Sequence, residues 1–165
     1  METEIFFDTT DTPAGTLYLV FEAQALTALM FTPVNKTGQN HTSVSEHAIR
    51  EIDAYFAGKL ETFSILIRFL SGTAFQKAVW NASASVPYGE TQSYKWLAEK
   101  LGRHPASSRA IGQALKMNPI PIIVPCHRIV RSDHGLGGYS GGLARKEFLL
   151  QLESQKYRQY NHPVL

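Results

Sequence analysis

The spacing of apolar residues changes near residue 70, and this change divides the chain into two parts with different secondary structure. Before it, three short runs rich in Ile, Phe, Val, Leu and Tyr, at residues 4–8, 16–22 and 25–32, predict strands. After it, apolar residues recur every three or four positions, as they do in helices. We predict an α+β protein, with a small N-terminal antiparallel sheet plus helix domain (residues 1–70) and a mostly helical domain (residues 71–165).

The first domain contains one predicted helix, at about residues 44–57. Ser43 or Ser45 can cap its start, and Gly58 can end it. Its apolar face comprises Ile49, Ile52, Tyr55 and Phe56. The stretch FSILIRFL (residues 63–70) predicts a further strand. No group of side chains in this domain suggests catalysis.

The second domain opens with one predicted helix and continues with a helix-turn-helix. Thr73 is a suitable N-cap for the helix in GTAFQKAVW. Its apolar face comprises Phe75, Ala78, Val79 and Ala82. TQSYKWLAEKLG predicts a helix that ends at Gly102, and RHPASSRAIGQALKMN predicts another with Pro105 in its first turn. Two short helices joined by a tight, glycine-containing turn form a helix-turn-helix.

Charge is distributed unevenly between the two parts. Residues 1–74 carry four Lys/Arg and nine Asp/Glu, whereas residues 75–135 carry eight Lys/Arg and three Asp/Glu. The basic segment includes both helices of the helix-turn-helix and is therefore a candidate nucleic-acid surface. An ordinary solvated surface that happens to be basic is the alternative.

The second helix of the helix-turn-helix is rich in small residues. They are Ala106, Ser107, Ser108, Ala110, Gly112 and Ala114. Small side chains allow close approach to another surface, which is either DNA or a neighbouring helix. Arg103, His104, Arg109 and Lys116 add hydrogen-bond donors and positive charge, which suits contact with phosphates.

The chain has a single cysteine, Cys126, which cannot form an internal disulfide and therefore fits a reducing compartment. It also excludes a structural zinc site built from several cysteines. No apolar run reaches the roughly 18 residues of a membrane span, and the acidic start METEIFFD lacks the layout of a signal peptide. We expect a soluble, cytoplasmic protein (nucleoid-associated if prokaryotic) without a metal or cofactor.

Cys126 lies in IIVPCHRIV (residues 122–130), between two runs of β-branched residues. It is either a small buried core residue or a nucleophile. Pro125 interrupts the strand pattern, and His127 and Arg128 bring potential charges that favour a thiolate. We predict a buried strand that delivers Cys126 to a pocket. Because consecutive residues of a strand point to opposite faces, His127 would need a bridging water or an irregular backbone to act on Cys126.

Four motifs stand out between about residues 71 and 155: GTAFQKAVW, VPYGETQSY, SSRAIGQALKMNPIPIIVPCHRIV and GGYSGGLARKEFLLQLE. Together they resemble the O6-alkylguanine-DNA alkyltransferases, also called methylated-DNA–protein-cysteine methyltransferases. The first 70 residues match only in size and layout. The resemblance implies a monomer that flips O6-alkylguanine out of double-stranded DNA, with O4-alkylthymine as a second candidate lesion. The alkyl group would pass directly, irreversibly and stoichiometrically to Cys126.

The resemblance also implies roles for individual residues. Cys126 would accept the alkyl group, His127 would act as its base through a water, and Glu153 would polarise His127. Asn118 would fix the turn that supports the cysteine, and Tyr94 would help to rotate the nucleotide and donate a proton to the base. The substrate pocket would include Val130, Tyr139, Ser140 and Gly141.

The same resemblance places a DNA-binding surface on the helix-turn-helix. Arg109 would enter the base stack as the flipped base leaves it. The rest of this surface would comprise Arg103, Ala106, Ser107, Ala110, Gly112, Lys116 and Arg128. The segment RHPASS before Arg109 is one residue longer than the usual spacing of the family, so we expect the turn there to differ.

Three other functions are compatible with parts of the sequence. A non-catalytic sensor of alkylation damage would keep the fold but replace the cysteine, which is present here. A transcription regulator with a helix-turn-helix would carry base-reading polar side chains where this chain has small ones. A cysteine hydrolase would need an acyl intermediate and an oxyanion hole.

Overall fold

The computed structural model describes residues 4–34 and 41–161, with side chains as far as residue 154. The chain divides into two compact units, Met1–Ser71 and Gly72–Leu165. The first unit contains a sheet and a helix and the second is mostly helical, which confirms the predicted α+β class. Within the described ranges, no helix has the length and apolarity that crossing a bilayer requires.

The sheet of the first unit is an antiparallel meander. Its strands are β1 (Ile5–Thr12), β2 (Gly15–Glu22) and β3 (Ala25–Met30), in the order β1-β2-β3. Strand β1 continues past its predicted end because residues 9–12 pair with residues 15–18 of β2. Alternate residues of β2 are fully buried, as expected when one face of a sheet covers a core. They are Leu17, Leu19 and Phe21.

The helix of the first unit, α1 (Ser43–Phe56), is capped by Thr42 rather than by Ser43 or Ser45. The Thr42 side chain accepts a hydrogen bond from Ser45 N, and the Ser45 hydroxyl accepts one from Thr42 N, which forms a capping box. The predicted apolar face is partly right. Its buried residues are Ser45, Ala48, Ile52 and Tyr55, whereas Ile49 and Phe56 are half-buried.

The prediction of a strand at residues 63–70 is wrong. This segment makes a single bridge to β3, between Leu26 and Ile67, through the hydrogen bonds Leu26 N to Leu66 O and Arg68 N to Leu26 O. The reason lies in α1, where the Glu51 carboxylate accepts hydrogen bonds from the backbone N–H groups of residues 64 and 65. Those donors are therefore not available for a ladder along the edge of the sheet.

As far as residue 161, the second unit contains four α-helices and two short strands. They are α2 (Ala74–Ser83), β4 (Gln92–Ser93), α3 (Tyr94–Lys100), α4 (Ser108–Lys116), β5 (Ile129–Val130) and α5 (Leu143–Asn161). Strands β4 and β5 pair in parallel. This short pairing matters because β4 leads directly into Tyr94 at the start of α3, while β5 follows directly after the Cys126 turn.

Helix α2 starts after Thr73, the predicted N-cap, but its buried face differs from the prediction. Val79, Trp80 and Ser83 are buried, whereas Ala78 is exposed. The indole N–H of Trp80 donates to the carbonyl of Ala114 over 2.8 Å. This bond satisfies a buried polar group and fixes α2 against α4.

Helices α3 and α4 form the helix-turn-helix. The first ends at Lys100 with Leu101 as its C-cap, and Gly102 follows the cap with a φ of 65°, in the left-handed region that favours glycine. Pro105 opens a separate 3₁₀ turn, Pro105–Ser107, so α4 begins later than predicted, at Ser108. It ends at Lys116, before Asn118-Pro119, because the residue before a proline is disfavoured in a helix.

The prediction that IIVPCHRIV is a strand is also wrong. Residues 119–125 form a compact turn, Cys126–Arg128 is a 3₁₀ turn, and only Ile129–Val130 is a strand. The three prolines at 119, 121 and 125 lack the N–H donors that a ladder needs. The chain bends sharply at Ile122, which is fully buried and has a φ of 75°. This left-handed backbone conformation is energetically unfavourable for a β-branched residue.

Candidate active site

Cys126 lies at the start of its 3₁₀ turn with its side chain almost fully buried. The Asn118 amide nitrogen lies 3.2 Å from Cys126 Sγ and donates to the carbonyl of Val124 over 2.9 Å. The Asn118 amide oxygen accepts from Ile120 N at 3.0 Å. One buried side chain therefore holds both ends of the turn and contacts the sulfur that the turn presents.

Burial dominates the acidity of the cysteine. It raises the pKa of the Cys126 thiol to about 11, although the Asn118 hydrogen bond and the positive charge of Lys146 lower it. The expectation that neighbouring charges favour a resting thiolate is therefore too simple. At neutral pH the thiol keeps its proton, and a reaction at sulfur needs a base.

A candidate base, His127, directly follows the cysteine in the sequence. His127 is fully buried, and its Nε2 lies 2.8 Å from Glu153 Oε1. Burial lowers the pKa of His127, although Glu153 raises it, so we assign a neutral ring whose Nε2–H donates to the carboxylate. Nδ1 is then left as an acceptor, and it has no hydrogen-bond partner among the described residues.

Glu153 remains ionised in spite of its burial. Desolvation by itself raises the pKa of this carboxyl, but hydrogen bonds and charge from His127 and Arg128 lower it to about 2. Gly89 N lies 3.4 Å from Glu153 Oε2, so the loop before β4 also reaches this carboxylate. The carboxylate is a fixed acceptor that orients the His127 ring.

Arg128 corrects an expectation, since the resemblance placed it on the DNA-binding surface. Its side chain is buried, with Nε and Nη2 each 3.0 Å from an oxygen of Glu153 and Nη1 donating to Val86 O over 2.7 Å. The guanidinium also lies over the Tyr88 ring at 5.7 Å. With these partners, Arg128 neutralises the buried carboxylate and is not available to a phosphate.

Tyr94 is positioned by the glycine-rich loop of residues 135–142. A side chain at Gly137, whose φ is 71°, would collide with the Tyr94 hydroxyl. Burial raises the pKa of Tyr94, although a hydrogen bond with the backbone of Gly138 lowers it. The Tyr94 phenol thus keeps its proton at neutral pH, and glycine is required where the loop crosses it.

The expected pocket residues have different exposures. Val130, Tyr139 and Gly141 are buried, whereas Ser140 is exposed. The Tyr139 and His127 rings lie 6.5 Å apart in an edge-on arrangement, and burial raises the pKa of the Tyr139 phenol well above its ordinary value. The loop therefore brings one phenol next to the His127–Glu153 pair.

Lys146 is the site residue that the sequence analysis missed. Its side chain is fully buried, and Nζ donates to Ile129 O at 2.6 Å and to Gly138 O at 3.3 Å. It also lies 5.8 Å from the centre of the Tyr94 ring. A signal was present in the sequence, because Lys146, Leu149 and Glu153 share one helical face. Leu143, the first residue of α5, is exposed.

The expected DNA-binding residues form the outward face of α4 and the turn before it. Ile111, Ala114 and Leu115 are buried, which turns Arg109 and Ala110 to solvent. The remaining expected residues are exposed or half-exposed: Arg103, Ala106, Ser107, Gly112 and Lys116. The small residues therefore divide between two faces, since Ala114 packs against α2 while Ala106 and Ala110 face outward.

The chain matches two family models that together cover most of its length. Residues 74–155 match the DNA-binding domain of the 6-O-methylguanine DNA methyltransferases, and residues 5–69 match the ribonuclease-like domain of the same family. A methylated-DNA--protein-cysteine methyltransferase of Methanosarcina barkeri is 40% identical over 93% of this chain and 100% of its own length. A methylated-DNA--protein-cysteine methyltransferase of Mycobacterium leprae is 42% identical over 88% of this chain and 90% of its own length.

Solved structures give the same result. Mycobacterium tuberculosis OGT in complex with DNA matches with a TM-score of 0.83 at 38% identity, over 92% of this chain and 94% of that one. The O6-methylguanine-DNA methyltransferase of Pyrococcus kodakaraensis matches with a TM-score of 0.68 at 26% identity, over 91% of this chain and 99% of that one. The chain therefore belongs to the 6-O-methylguanine DNA methyltransferase family.

Proposed function

We propose that this protein repairs O6-alkylguanine in double-stranded DNA by direct transfer of the alkyl group to Cys126. The observation that carries the proposal is the arrangement of Asn118, Cys126, His127 and Glu153 in one buried site of a chain with an exposed, arginine-bearing helix. Relatives of nearly equal length are named methylated-DNA--protein-cysteine methyltransferases. The reaction belongs in the cytoplasm, or on the nucleoid in a prokaryote.

The chemistry follows from the protonation states. A water bridging Cys126 and His127 would carry the thiol proton to Nδ1, and Glu153 would stabilise the resulting imidazolium. The thiolate attacks the alkyl carbon, so an S–C bond forms as the C–O6 bond breaks. The electron pair stays on guanine, where Tyr94 would donate a proton to a ring nitrogen.

DNA has to deliver the alkyl group to a buried sulfur. An alkyl group on O6 cannot be attacked in line within a stacked duplex, so the nucleotide must be flipped out, at a cost of about a few kcal/mol. Arg109 is exposed in the first turn of α4 and can fill the vacated place in the stack. Ala106 and Ala110 allow the helix to approach closely, while Arg103 and Lys116 add phosphate contacts.

The protein acts only once because the alkylated cysteine is not regenerated. A thioether is not reversed by hydrolysis, so each molecule removes one lesion and is consumed. O4-alkylthymine presents the same kind of alkylated oxygen and is a second candidate substrate. A non-catalytic damage sensor is disfavoured by the presence of Cys126 with a base beside it.

Intact-mass measurement tests this function. The protein is incubated with a duplex that contains O6-methylguanine, and we expect each molecule to gain one methyl group on Cys126 and then stop. The Cys126→Ala variant should bind the duplex and gain no mass. An unchanged mass in the native protein would exclude alkyl transfer, and more than one lesion repaired per molecule would indicate a hydrolase or demethylase instead.

A further inference from the structure

Side chains from three helices hold the middle of the glycine-rich loop. Among the described residues, no backbone–backbone hydrogen bond involves Gly137 or Gly138. Lys146 of α5 donates to the carbonyl of Gly138 over 3.3 Å, and Tyr94 of α3 lies against Gly137. Lys116 of α4 lies across Gly138. Because no ladder fixes this segment, its position depends on these few side-chain contacts.

Of these three side chains, Lys116 is the one that belongs to the expected DNA-binding surface. A β-carbon placed on Gly138 would lie 2.6 Å from Lys116 Cε and 3.4 Å from its Nζ, so the end of the lysine side chain fills the space beside this glycine. Lys116 is exposed at the last position of α4, and it forms no ion pair with any carboxylate that the structure describes. Its aliphatic stem therefore contacts the loop while its charge is available to a phosphate.

The loop borders the site that an alkylated base has to enter. It contains Tyr139, Ser140 and Gly141, three of the expected pocket residues. The Tyr139 ring lies 6.5 Å from the His127 ring, and both side chains are buried. Cys126 is only 4% exposed, which leaves no room for a base against the sulfur. Part of the surroundings therefore has to move before transfer, and the loop is the part that lacks backbone pairing.

We propose that Lys116 fastens the glycine-rich loop against the site in the free protein and releases it when the lysine ammonium binds a DNA phosphate. Movement of the ammonium toward DNA draws the stem away from Gly138, so DNA binding and opening of the loop are coupled. The inference rests on the proposed function in taking DNA as the ligand of α4. Lys116 is a positioning residue, since it contacts neither the sulfur nor the alkyl group.

Accessibility of the thiol tests the fastening of the loop. Cys126 is the only cysteine of the chain, so the rate of alkylation by iodoacetamide without DNA reports on it alone. Lys116→Ala removes the stem and should raise this rate about fivefold, because the loop opens more often. Loss of a positive charge by itself would disfavour the thiolate and slow the reaction, so charge does not explain a rise. Lys95→Ala, at an exposed position of α3, should keep the native rate.

Gly138→Ala displaces the lysine without removing it. The φ of Gly138 lies outside the left-handed region, so the backbone accepts alanine, but the new β-carbon would push the flexible end of Lys116 aside. The thiol should react about fivefold faster, as in Lys116→Ala. The double variant should show no further increase, because both substitutions remove the same contact. Increases that multiply in the double variant, or a native rate in Lys116→Ala, would overturn the proposal.

Affinity for an undamaged duplex tests the coupling to DNA. If the phosphate has to draw the ammonium away from the loop, Gly138→Ala, in which it is already displaced, should bind the duplex about fivefold more tightly than the native protein. In the Lys116→Met background, which has no ammonium to release, the same substitution should leave the affinity unchanged. An equal gain in both backgrounds, or no gain in either, would overturn the proposal.

These measurements use iodoacetamide and undamaged DNA, so neither involves transfer from an alkylated base. A faster thiol reaction and background-dependent affinities, in a protein that gains no methyl group from O6-methylguanine, would support the role of Lys116 and reject the proposed function. Intact methyl transfer with a native thiol rate in Lys116→Ala would reject the role of Lys116 alone.

Discussion

At the scale of single residues, the acidities of the site set up a proton transfer. Burial raises the pKa of the Cys126 thiol to about 11 and lowers the pKa of His127 below its ordinary value. At neutral pH the Cys126 thiol is therefore protonated and the His127 ring is neutral. In this state the ring can accept the thiol proton. Glu153, ionised beside Arg128, fixes the His127 ring with Nδ1 as the acceptor.

This arrangement predicts a pH-dependent loss in His127→Gln. At pH 7 we expect single-turnover methyl transfer from duplex DNA to slow about a hundredfold, the lower end of what a general base contributes. As pH rises toward about 11, Cys126 ionises without help and the variant should recover toward the native rate. Rapid-quench kinetics at several pH values would measure this.

His134→Gln is the matched control, because His134 is an exposed histidine of the same unit. Its rates should equal those of the native protein throughout. If His127→Gln were slowed by the same factor at every pH, His127 would be a structural residue and the assigned base would be wrong.

At the scale of elements, two short turns place the groups that we propose to act on DNA and on sulfur. The 3₁₀ turn Pro105–Ser107 delays the start of α4 and leaves Arg109 in its first turn, on the exposed face. The 3₁₀ turn Cys126–Arg128 directs the side chain of His127 to Glu153 and keeps Cys126 against Asn118. Neither placement would arise if these segments continued as regular helix or strand.

The position of Arg109 predicts a substrate-dependent effect. Arg109→Ala should reduce repair of O6-methylguanine in duplex DNA by about tenfold or more, since the cost of unstacking is no longer offset. Transfer from the free O6-methylguanine base, which needs no flipping, should change little. The measurement compares the rates of methyl transfer in Arg109→Ala and in the native protein, once with duplex DNA and once with the free base.

Arg50→Ala removes an exposed arginine of α1 in the other unit and should alter neither rate. A loss of equal size on duplex and free base in Arg109→Ala would mean that Arg109 supports the fold of the site. In that case the proposed entry of Arg109 into the base stack would be rejected.

At the scale of the whole molecule, the buried charges couple the stability of the second unit to pH. Glu153 has a pKa of about 2 in the folded chain against an ordinary 4.5, so its stabilisation is present above pH 4.5 and is lost as pH falls toward 2. His127, with a pKa lowered from 6.5, takes up its proton more readily when unfolded. Both effects reduce stability in acid.

We therefore predict that the free energy of unfolding of the second unit falls steadily below pH 6.5. The contribution of Glu153 between pH 4.5 and 2 is about 3 kcal/mol. Both tryptophans, Trp80 and Trp96, lie in this unit, so denaturant unfolding followed by tryptophan fluorescence reports on it alone.

Glu153→Gln should lower stability at neutral pH, because Arg128 loses its counter-charge, and should flatten the acid dependence below pH 4.5. Glu147→Gln, at an exposed position of the same helix, should retain the native dependence. An unchanged acid dependence in Glu153→Gln would show that other groups destabilise the protein in acid.

Much of this architecture can be predicted from the sequence, because local patterns specify it. Alternation in β2, the Thr73 cap of α2, the Gly102 end of α3 and the proline after α4 each act within a few residues. The motif residues around Cys126 likewise identify the reacting sulfur without reference to its surroundings in space. Signals of this kind depend on residues a few positions apart, so they can be recognised without knowledge of the tertiary contacts.

Other features depended on partners far away in the sequence. The segment at 63–70 resembles a strand, but the Glu51 carboxylate of α1 takes its N–H groups. Arg128 resembles a phosphate ligand in a basic segment, but Glu153 of α5 and Val86 O enclose it. Lys146 resembles a surface lysine, but the carbonyls of Ile129 and Gly138 bury it.

The sequence by itself thus determined the two-part α+β organisation, the helix-turn-helix and the identity of the nucleophile, since periodicity, caps and motif residues are encoded locally. Only the tertiary structure decided the protonation states and which cations serve the site. The reason is physical: desolvation and charge pairing act through space, and the contacts of Arg128 with Glu153 and of Lys146 with the carbonyls of Ile129 and Gly138 form only when β5, α5 and the glycine-rich loop pack.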